Sequence, residues 1–209
     1  MLKYHARTIS HCSITLSFLI TALSAGLVEL TTIVPHIKLD IRYATTNNFT
    51  GKVVYPSARC FLQEPAAKSL AAVQIELKKQ GLGIKVFDGY RPLSVQKIFW
   101  NICPDTRYVA NPAKGSKHNR GTAIDLTIID LKTGQEVAMP SGYDDFTEKA
   151  HRKYEAMAPE AAKNCKLLED IMVKHGFIPI VTEWWHYDWN DWKQFAILDV
   201  AFDDLHSTR

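Results

Sequence analysis

The chain has 209 residues, of which 46% are hydrophobic and 22% are charged, close to the average for a globular protein. This composition excludes a chain that is disordered along its whole length, and it excludes a collagen-like or low-complexity protein. The 25 basic and 22 acidic residues nearly cancel, so that no nucleic-acid partner is expected, and four cysteines are too few for a disulfide scaffold of this size.

The N-terminal segment differs in composition from the rest of the chain. Lys3 and Arg7 precede an uncharged, mostly apolar stretch at residues 14–28. A basic start followed by an apolar run and small residues is typical of a secretory signal peptide. The run is also shorter than the roughly 20 residues that a helix needs to cross a bilayer.

We therefore predict that residues 1–25 are a signal peptide and that residues 26–209 form one mature domain. Cleavage is expected after Ser24 or Ala25, and the mature protein is expected in the periplasm. An uncleaved N-terminal anchor and an N-terminal core helix are the alternatives.

The mature sequence contains no internal repeat and no long linker, which indicates a single domain. Apolar residues recur at helical spacing in two long segments that each end at a glycine, whereas short runs rich in Ile, Leu and aromatic residues indicate strands. Hairpins are more evident than crossover units, which favours an α+β fold with a mainly antiparallel central sheet flanked by helices. In chain order we predict a helix at 64–80, a strand at 84–88, a helix at 93–102, a loop at 104–115, a strand at 123–130 with a hairpin partner at 136–139, a helix at 159–175, and strands at 177–180 and 183–187.

Three cysteines follow the predicted cleavage site, namely Cys60, Cys103 and Cys165. In an oxidising compartment they could form one disulfide and leave one free thiol, but the sequence does not identify a pair. Three small, buried hydrophobic side chains are the simpler interpretation.

Polar side chains concentrate in three segments that adjoin predicted strands, at residues 88–92, 116–125 and 183–187. The last two contain two histidines, an aspartate and a glutamate. Two imidazoles and a carboxylate with one open position form the ligand set of a catalytic zinc site, and a further carboxylate can take a proton from water there. A histidine at a strand end is more often structural, so residue types alone leave metal binding open.

Two signatures in these segments add to that pattern. They are S-x-H-x-x-G-x-A-x-D at residues 116–125 and E-x-W-H at residues 183–186. The pair resembles the signature of the zinc-dependent D-alanyl-D-alanine dipeptidases, a family related to zinc D,D-carboxypeptidases and to the hedgehog-type fold. Residues 41–51 and 88–92 are also similar to segments of that family, so that the likeness extends from about residue 34 to residue 187.

The resemblance implies a catalytic centre with one Zn²⁺ per chain. His118, Asp125 and His186 would bind the metal at the sheet. Glu183 would be the general base toward a metal-bound water and then the proton donor to the leaving amine. Arg91 would stabilise the oxyanion of the tetrahedral intermediate, although a structural salt bridge is the alternative for this residue.

The resemblance also implies a small zwitterionic substrate, D-alanyl-D-alanine, which would be hydrolysed to two D-alanines. Ser116 would hold the carboxylate, Asp144 the free amino group, and Tyr43 would contact the substrate near the scissile carbonyl. Asp145 is an alternative anchor for the amine. No nucleic-acid partner is expected, and no stable membrane insertion is expected after signal cleavage.

Two other functions remain open at this point. One is a D,D-carboxypeptidase or endopeptidase that acts on longer peptidoglycan peptides, and the other is a zinc-binding recognition module without catalysis. A closed pocket around the amine anchor favours the dipeptide, whereas an open cleft favours longer peptides.

One spacing conflicts with the predicted strand at 183–187. Residues three apart in a regular strand face opposite sides, so that Glu183 and His186 could not both face one metal. We therefore predict a bulge or a turn near Trp184 and Trp185.

Overall fold

The computed structural model describes residues 26–205, so that the predicted signal peptide lies outside the described residues. Within this range the chain forms two β-sheets with α-helices packed against them. The strands are β1 (Leu27–Glu29), β2 (Lys38–Leu39), β3 (Phe61–Gln63), β4 (Leu82–Asp88), β5 (Ala123–Asp130), β6 (Phe177–Pro179) and β7 (His186–Trp189). The helices are α1 (Leu30–Ile33), α2 (Glu64–Lys78), α3 (Leu93–Ile102) and α4 (Pro159–Lys174).

The larger sheet has five strands in the order β2-β4-β5-β7-β6. Strands β2 and β4 are parallel, and the other three neighbouring pairs are antiparallel. The small second sheet pairs β1 with β3 in antiparallel orientation. The prediction of an α+β fold with a mainly antiparallel sheet is therefore confirmed.

Helices α2 and α4 contact each other and pack against β4 and β6, so that both cover the same face of the large sheet. The buried residues of α2 recur at helical spacing along one face and include Leu70, Val73 and Leu77. The chain leaves this helix through Gly81, whose φ of 74° lies in the left-handed region that favours glycine. Hydrophobic periodicity is set by neighbours along the chain, which is why the predicted helices match the observed ones closely.

The hairpin expected after β5 is shorter than predicted. Glu136 forms an isolated bridge with Ile129, and the pairing does not extend to residue 139. Asp130 accepts hydrogen bonds from the backbone of the turn that follows it, which reverses the chain. Pro140 has no N–H to donate to a ladder, so the pairing could not continue past Met139 in any case.

Cys60, Cys103 and Cys165 are free thiols, and the first and last of them are buried. Among the helices at residues 26–205, none has the length and apolar character that crossing a membrane would require.

Candidate active site

Strand pairing brings two of the predicted metal ligands together. Asp125 on β5 lies directly opposite His186, the first residue of β7. Directly opposed residues in an antiparallel pair are close enough for their side chains to touch. The pairing of β4 with β5 is irregular between Val86 and Asp88, which places Asp88 opposite Asp125 at the same end of the sheet.

The third predicted ligand lies on a short turn beside the sheet. His118 begins a 3-10 turn that ends at Gly121, where φ is 68°. A Cβ atom at Gly121 would collide with Leu27 of β1 and lie close to the backbone nitrogen of Gln63, so this turn fits closely against the small sheet. The Nδ1 atom of His118 lies 2.7 Å from the carbonyl oxygen of Gly89, and this contact fixes the ring.

The three ligand atoms converge on one point. The Nδ1 atom of His186 lies 3.0 Å from Oδ1 of Asp125 and 3.1 Å from Nε2 of His118, and that Nε2 lies 3.4 Å from the same Oδ1. Zinc binds nitrogen and oxygen ligands at about 2.1 Å in tetrahedral geometry, which sets ligand atoms roughly 3.4 Å apart. The spacing of the three ligand atoms therefore fits a zinc ion.

The surroundings of these ligands also suit a metal. In each histidine, the ring nitrogen that faces away from the cluster has a hydrogen-bond partner. For His118 this partner is the carbonyl oxygen of Gly89, and for His186 it is Oδ1 of Asp188 at 2.9 Å. Such partners fix the tautomer and the ring orientation of a metal-binding histidine. Burial opposes ionisation of Asp125, but the two adjacent imidazoles hold the pKa of its carboxyl group well below the usual range.

Glu183 lies directly before a turn and not in a strand. The predicted strand at 183–187 is therefore wrong in its first three residues, because β7 begins at His186 and the chain turns at Trp184 and Trp185. The turn that was expected from the spacing of Glu183 and His186 is present. It lets Oε2 of Glu183 approach to 3.8 Å from Nδ1 of His186. Burial raises the pKa of Glu183 to about 8, so this carboxyl group can hold a proton near neutral pH.

Arg91 is buried and lies beside the ligand cluster. Its Nε and Nη2 donate to Oδ2 of Asp88 at 3.1 and 2.7 Å, and its Nη1 donates to Gln96 at 2.8 Å. A guanidinium group has five N–H donors. Two of them have no partner among the described residues, and Arg91 lines the central cavity. A structural salt bridge and a role in the site are therefore compatible.

The central cavity has a volume of about 190 Å³ and is lined by all eight predicted site residues. They are Tyr43, Arg91, Ser116, His118, Asp125, Asp144, Glu183 and His186. Aromatic rings close one side of the cavity, where Phe146 stacks on Tyr108 with ring centroids 4.8 Å apart and contacts Phe49 at 5.2 Å. Ligand pockets for drug-sized molecules usually exceed about 300 Å³, so this cavity suits a smaller molecule.

Asp144 and Asp145 have different surroundings. Asp144 lines the cavity and accepts a hydrogen bond from the hydroxyl of Tyr43 at 3.1 Å. Asp145 instead accepts a hydrogen bond from the backbone N–H of Thr147 at 3.1 Å. Asp144 has a φ of 59°, a left-handed conformation that aspartate and asparagine tolerate better than most residues.

Sequence reasoning missed two residues that adjoin the site. The hydroxyl of Tyr143 donates to Oδ2 of Asp125 at 3.0 Å. The position of Tyr143 next to Asp144 was the only sequence signal for a role in the site, but no neighbouring residue indicates that its side chain reaches β5.

Arg152 is the second missed residue, and it supports the loop between β6 and β7. Its side chain donates to the carbonyl oxygens of Ile180 and His186 at 2.8 and 3.0 Å, and its backbone N–H donates to the carbonyl of Val181 at 3.0 Å. One residue therefore contacts both ends of the loop that carries Glu183.

Two buried histidines, a buried aspartate and an adjacent carboxylate in a small cavity define a metal-dependent hydrolase. The D-ala-D-ala dipeptidase family profile matches residues 23–207. The D-alanyl-D-alanine dipeptidase of Escherichia coli is 40% identical over 176 residues, covering 84% of this chain and 91% of that protein. The D-alanyl-D-alanine dipeptidase of Enterococcus faecalis is 34% identical over 171 residues, covering 72% of this chain and 85% of that protein. The solved structure of the LD-carboxypeptidase LdcB aligns with 78% of this chain and 67% of that one, at 21% identity and a TM-score of 0.47.

The chain belongs to the D-ala-D-ala dipeptidase family.

Proposed function

We propose that this protein is a zinc-dependent dipeptidase that hydrolyses D-alanyl-D-alanine to two D-alanines. The observation that carries the proposal is the convergence of the His118, Asp125 and His186 ligand atoms to within 3.0–3.4 Å of one another, with the Glu183 carboxylate beside them. Zinc in such a site supplies Lewis-acid polarisation of the scissile carbonyl and makes water a nucleophile near neutral pH.

Glu183 moves the proton in this proposal. Its carboxylate takes a proton from the attacking water and passes it to the nitrogen of the leaving D-alanine. The burial that raises its pKa to about 8 lets Glu183 hold the proton between these two steps. The turn at Trp184 and Trp185 supports this role, because it brings the carboxylate to the same side as His186.

Arg91 stabilises the oxyanion that develops on the scissile carbonyl. Asp88 and Gln96 hold three of its N–H groups and so fix the plane of the guanidinium, and the two remaining donors are available to the cavity. A preorganised donor of this kind contributes about 3 kcal/mol to transition-state stabilisation.

Three further side chains recognise the ends of the dipeptide. Asp144 pairs with the free ammonium group, Tyr43 supports Asp144 and contacts the substrate near the scissile carbonyl, and Ser116 binds the carboxylate. The hydroxyl oxygen of Ser116 also accepts a hydrogen bond from the backbone of His118 at 3.2 Å, which ties the carboxylate subsite to a metal ligand.

The small volume of the cavity supports a dipeptide over a longer peptide. The segment before Ser116 reaches across to the Glu183 loop, where the hydroxyl of Thr182 donates to the carbonyl of Arg107 at 3.4 Å. Together with the stacked rings of Tyr108 and Phe146, this contact leaves about 190 Å³ for the substrate. A longer peptidoglycan peptide would carry its amine beyond the reach of Asp144.

We propose export to the periplasm as the location of this activity, with an uncleaved anchor as the alternative. The basic residues Lys3 and Arg7 and the apolar run behind them support this proposal. An exported enzyme would act on dipeptide released from the wall. Cell fractionation tests it, since full-length protein in the cytosol that retains Lys3 would contradict export.

The decisive experiment is a peptidase assay on the purified protein. The substrates are D-alanyl-D-alanine, its L,L counterpart and a muramyl pentapeptide, each with and without a metal chelator. We expect hydrolysis of the D,D dipeptide, loss of activity with chelator, and loss of activity in Glu183→Gln with metal still bound. Hydrolysis that resists chelation, or no hydrolysis of any of the three, would overturn the proposal.

A further inference from the structure

A hydrogen-bonded chain connects the metal ligand Asp125 to the predicted amine anchor Asp144. The hydroxyl of Tyr143 lies 3.0 Å from Oδ2 of Asp125 and 3.2 Å from the hydroxyl of Tyr43. The hydroxyl of Tyr43 lies 3.1 and 3.2 Å from the two carboxylate oxygens of Asp144. Two tyrosines thus connect two carboxylates with different tasks.

The number of protons in this chain limits how it can be arranged. Each tyrosine hydroxyl has one proton to donate, so two protons serve three contacts. If Tyr143 donates to Asp125 and Tyr43 donates to Asp144, each carboxylate receives a hydrogen bond. Any arrangement in which Tyr143 donates to Tyr43 leaves Oδ2 of Asp125 with no donor among the described residues. A buried carboxylate oxygen without a donor is costly, so Tyr143 donates to Asp125.

The ring of Tyr143 is held in place for this contact. It stacks on Phe87 with ring centroids 4.6 Å apart, and the ring of Trp185 meets it at 5.4 Å and an angle of 68°. A tyrosine hydroxyl ordinarily keeps its proton near neutral pH, so Tyr143 can donate it here. The donor is therefore prearranged and does not depend on substrate.

The contact divides the two oxygens of Asp125 between two tasks. Oδ1 faces the imidazoles, at 3.0 Å from Nδ1 of His186 and 3.4 Å from Nε2 of His118, whereas Oδ2 faces Tyr143. Without the hydroxyl, no other side chain among the described residues would hold Oδ2 away from the other ligand atoms. The carboxylate could then rotate, which would weaken the bond through Oδ1 and let Oδ2 occupy the metal position that the reaction needs.

We propose that Tyr143 is a positioning residue, which holds Asp125 as a ligand through a single oxygen and thereby keeps one metal position open for the reaction. The proposal rests on the proposed function for the ligand role of Asp125. It assigns to Tyr143 no contact with the substrate.

The test is Tyr143→Phe, which removes one oxygen atom and keeps the stacked ring. We expect the zinc affinity, measured by competition with a chromogenic chelator, to fall by about tenfold to a hundredfold, the usual effect of losing a partner of a metal ligand. We also expect the visible absorption spectrum of the cobalt-substituted protein to change, and kcat to fall more than KM rises. Neither metal readout requires activity, so failure of the dipeptidase assay would not be confused with failure of this proposal.

Two variants serve as controls. Tyr90→Phe removes a hydroxyl that donates to the backbone carbonyl of Val200 and accepts from the backbone N–H of the same residue, away from the ligands, and should leave zinc affinity and kcat unchanged. Tyr43→Phe removes the donor to Asp144 and should raise KM while zinc affinity stays the same. Melting temperatures of the metal-free Tyr143→Phe and Tyr90→Phe proteins should agree within about 4 °C, which establishes that both are folded.

An unchanged or higher zinc affinity in folded Tyr143→Phe, with an unaltered cobalt spectrum, would overturn the proposal. The same holds if Tyr90→Phe weakens zinc binding as much as Tyr143→Phe does.

Discussion

The choice between Asp144 and Asp145 as the anchor for the substrate amine leads to a sharp mutational test. Asp144 faces the cavity and Asp145 caps the backbone of Thr147, so the substitution Asp144→Asn should affect substrate binding and Asp145→Asn should not. Asparagine keeps the size of the side chain and tolerates the left-handed conformation at residue 144, where φ is 59°. The perturbation is therefore the loss of one negative charge.

The size of the effect follows from the contact that is lost. A hydrogen bond between charged groups contributes about 1.5–3 kcal/mol, and about 1.4 kcal/mol corresponds to a factor of ten. We expect kcat/KM for D-alanyl-D-alanine to fall roughly 10-fold to 150-fold in Asp144→Asn, mainly through KM. In Asp145→Asn we expect a change of less than about threefold, because its partner is the backbone of Thr147 outside the cavity and the amide oxygen of asparagine can still accept that hydrogen bond.

The assay compares the free dipeptide with its N-acetylated form, which has no ammonium charge. Wild-type protein should prefer the free dipeptide strongly, and Asp144→Asn should lose most of that preference while its rate on the acetylated dipeptide stays close to wild type. Two results would refute the reasoning: an equal loss on both substrates in Asp144→Asn, or a larger loss of preference in Asp145→Asn.

Three further predictions follow from the site. Arg152→Lys should lower kcat at least about tenfold, because the loop that carries Glu183 loses its support. As a control, Arg59→Lys alters contacts to Glu29 and to the backbone of Phe202 and Leu205, and it should lower the melting temperature without lowering kcat. Equal kcat values for the two variants would contradict this prediction. Removal of the metal should lower the melting temperature by roughly 8–16 °C at zinc concentrations near a thousand times Kd, and calorimetry that finds no change on re-adding zinc would contradict a resident metal. Burial raises the pKa of Asp144 to about 7, so its carboxyl is protonated below that pH and cannot pair with an ammonium group; KM should rise as the pH falls through about 7, and this dependence should be absent in Asp144→Asn.

The elements that local pattern controls could be predicted closely. Helix α3 has the predicted bounds, and strand β5 has the predicted bounds as well. Both depend on apolar spacing and β-branched content, which neighbouring residues along the chain decide. The strand at 183–187 was predicted wrongly in part, because apolar aromatic residues such as Trp184 occur in a buried turn as readily as in a strand. The spacing of Glu183 and His186, three residues apart, was the sequence feature that indicated a turn in place of the regular strand.

The sequence by itself determined which chemistry this protein contains: two imidazoles, an aspartate and a glutamate in two short segments, together with the arginine at residue 91. Only the tertiary structure decided how these groups are supported, which carboxylate of residues 144 and 145 faces the cavity, and that Tyr143 holds the free oxygen of Asp125. The reason is physical. Residue type and spacing report on what neighbours along the chain can do, whereas the direction of a side chain at the site depends on packing between β4, β5, β7 and loops that lie far apart in the sequence.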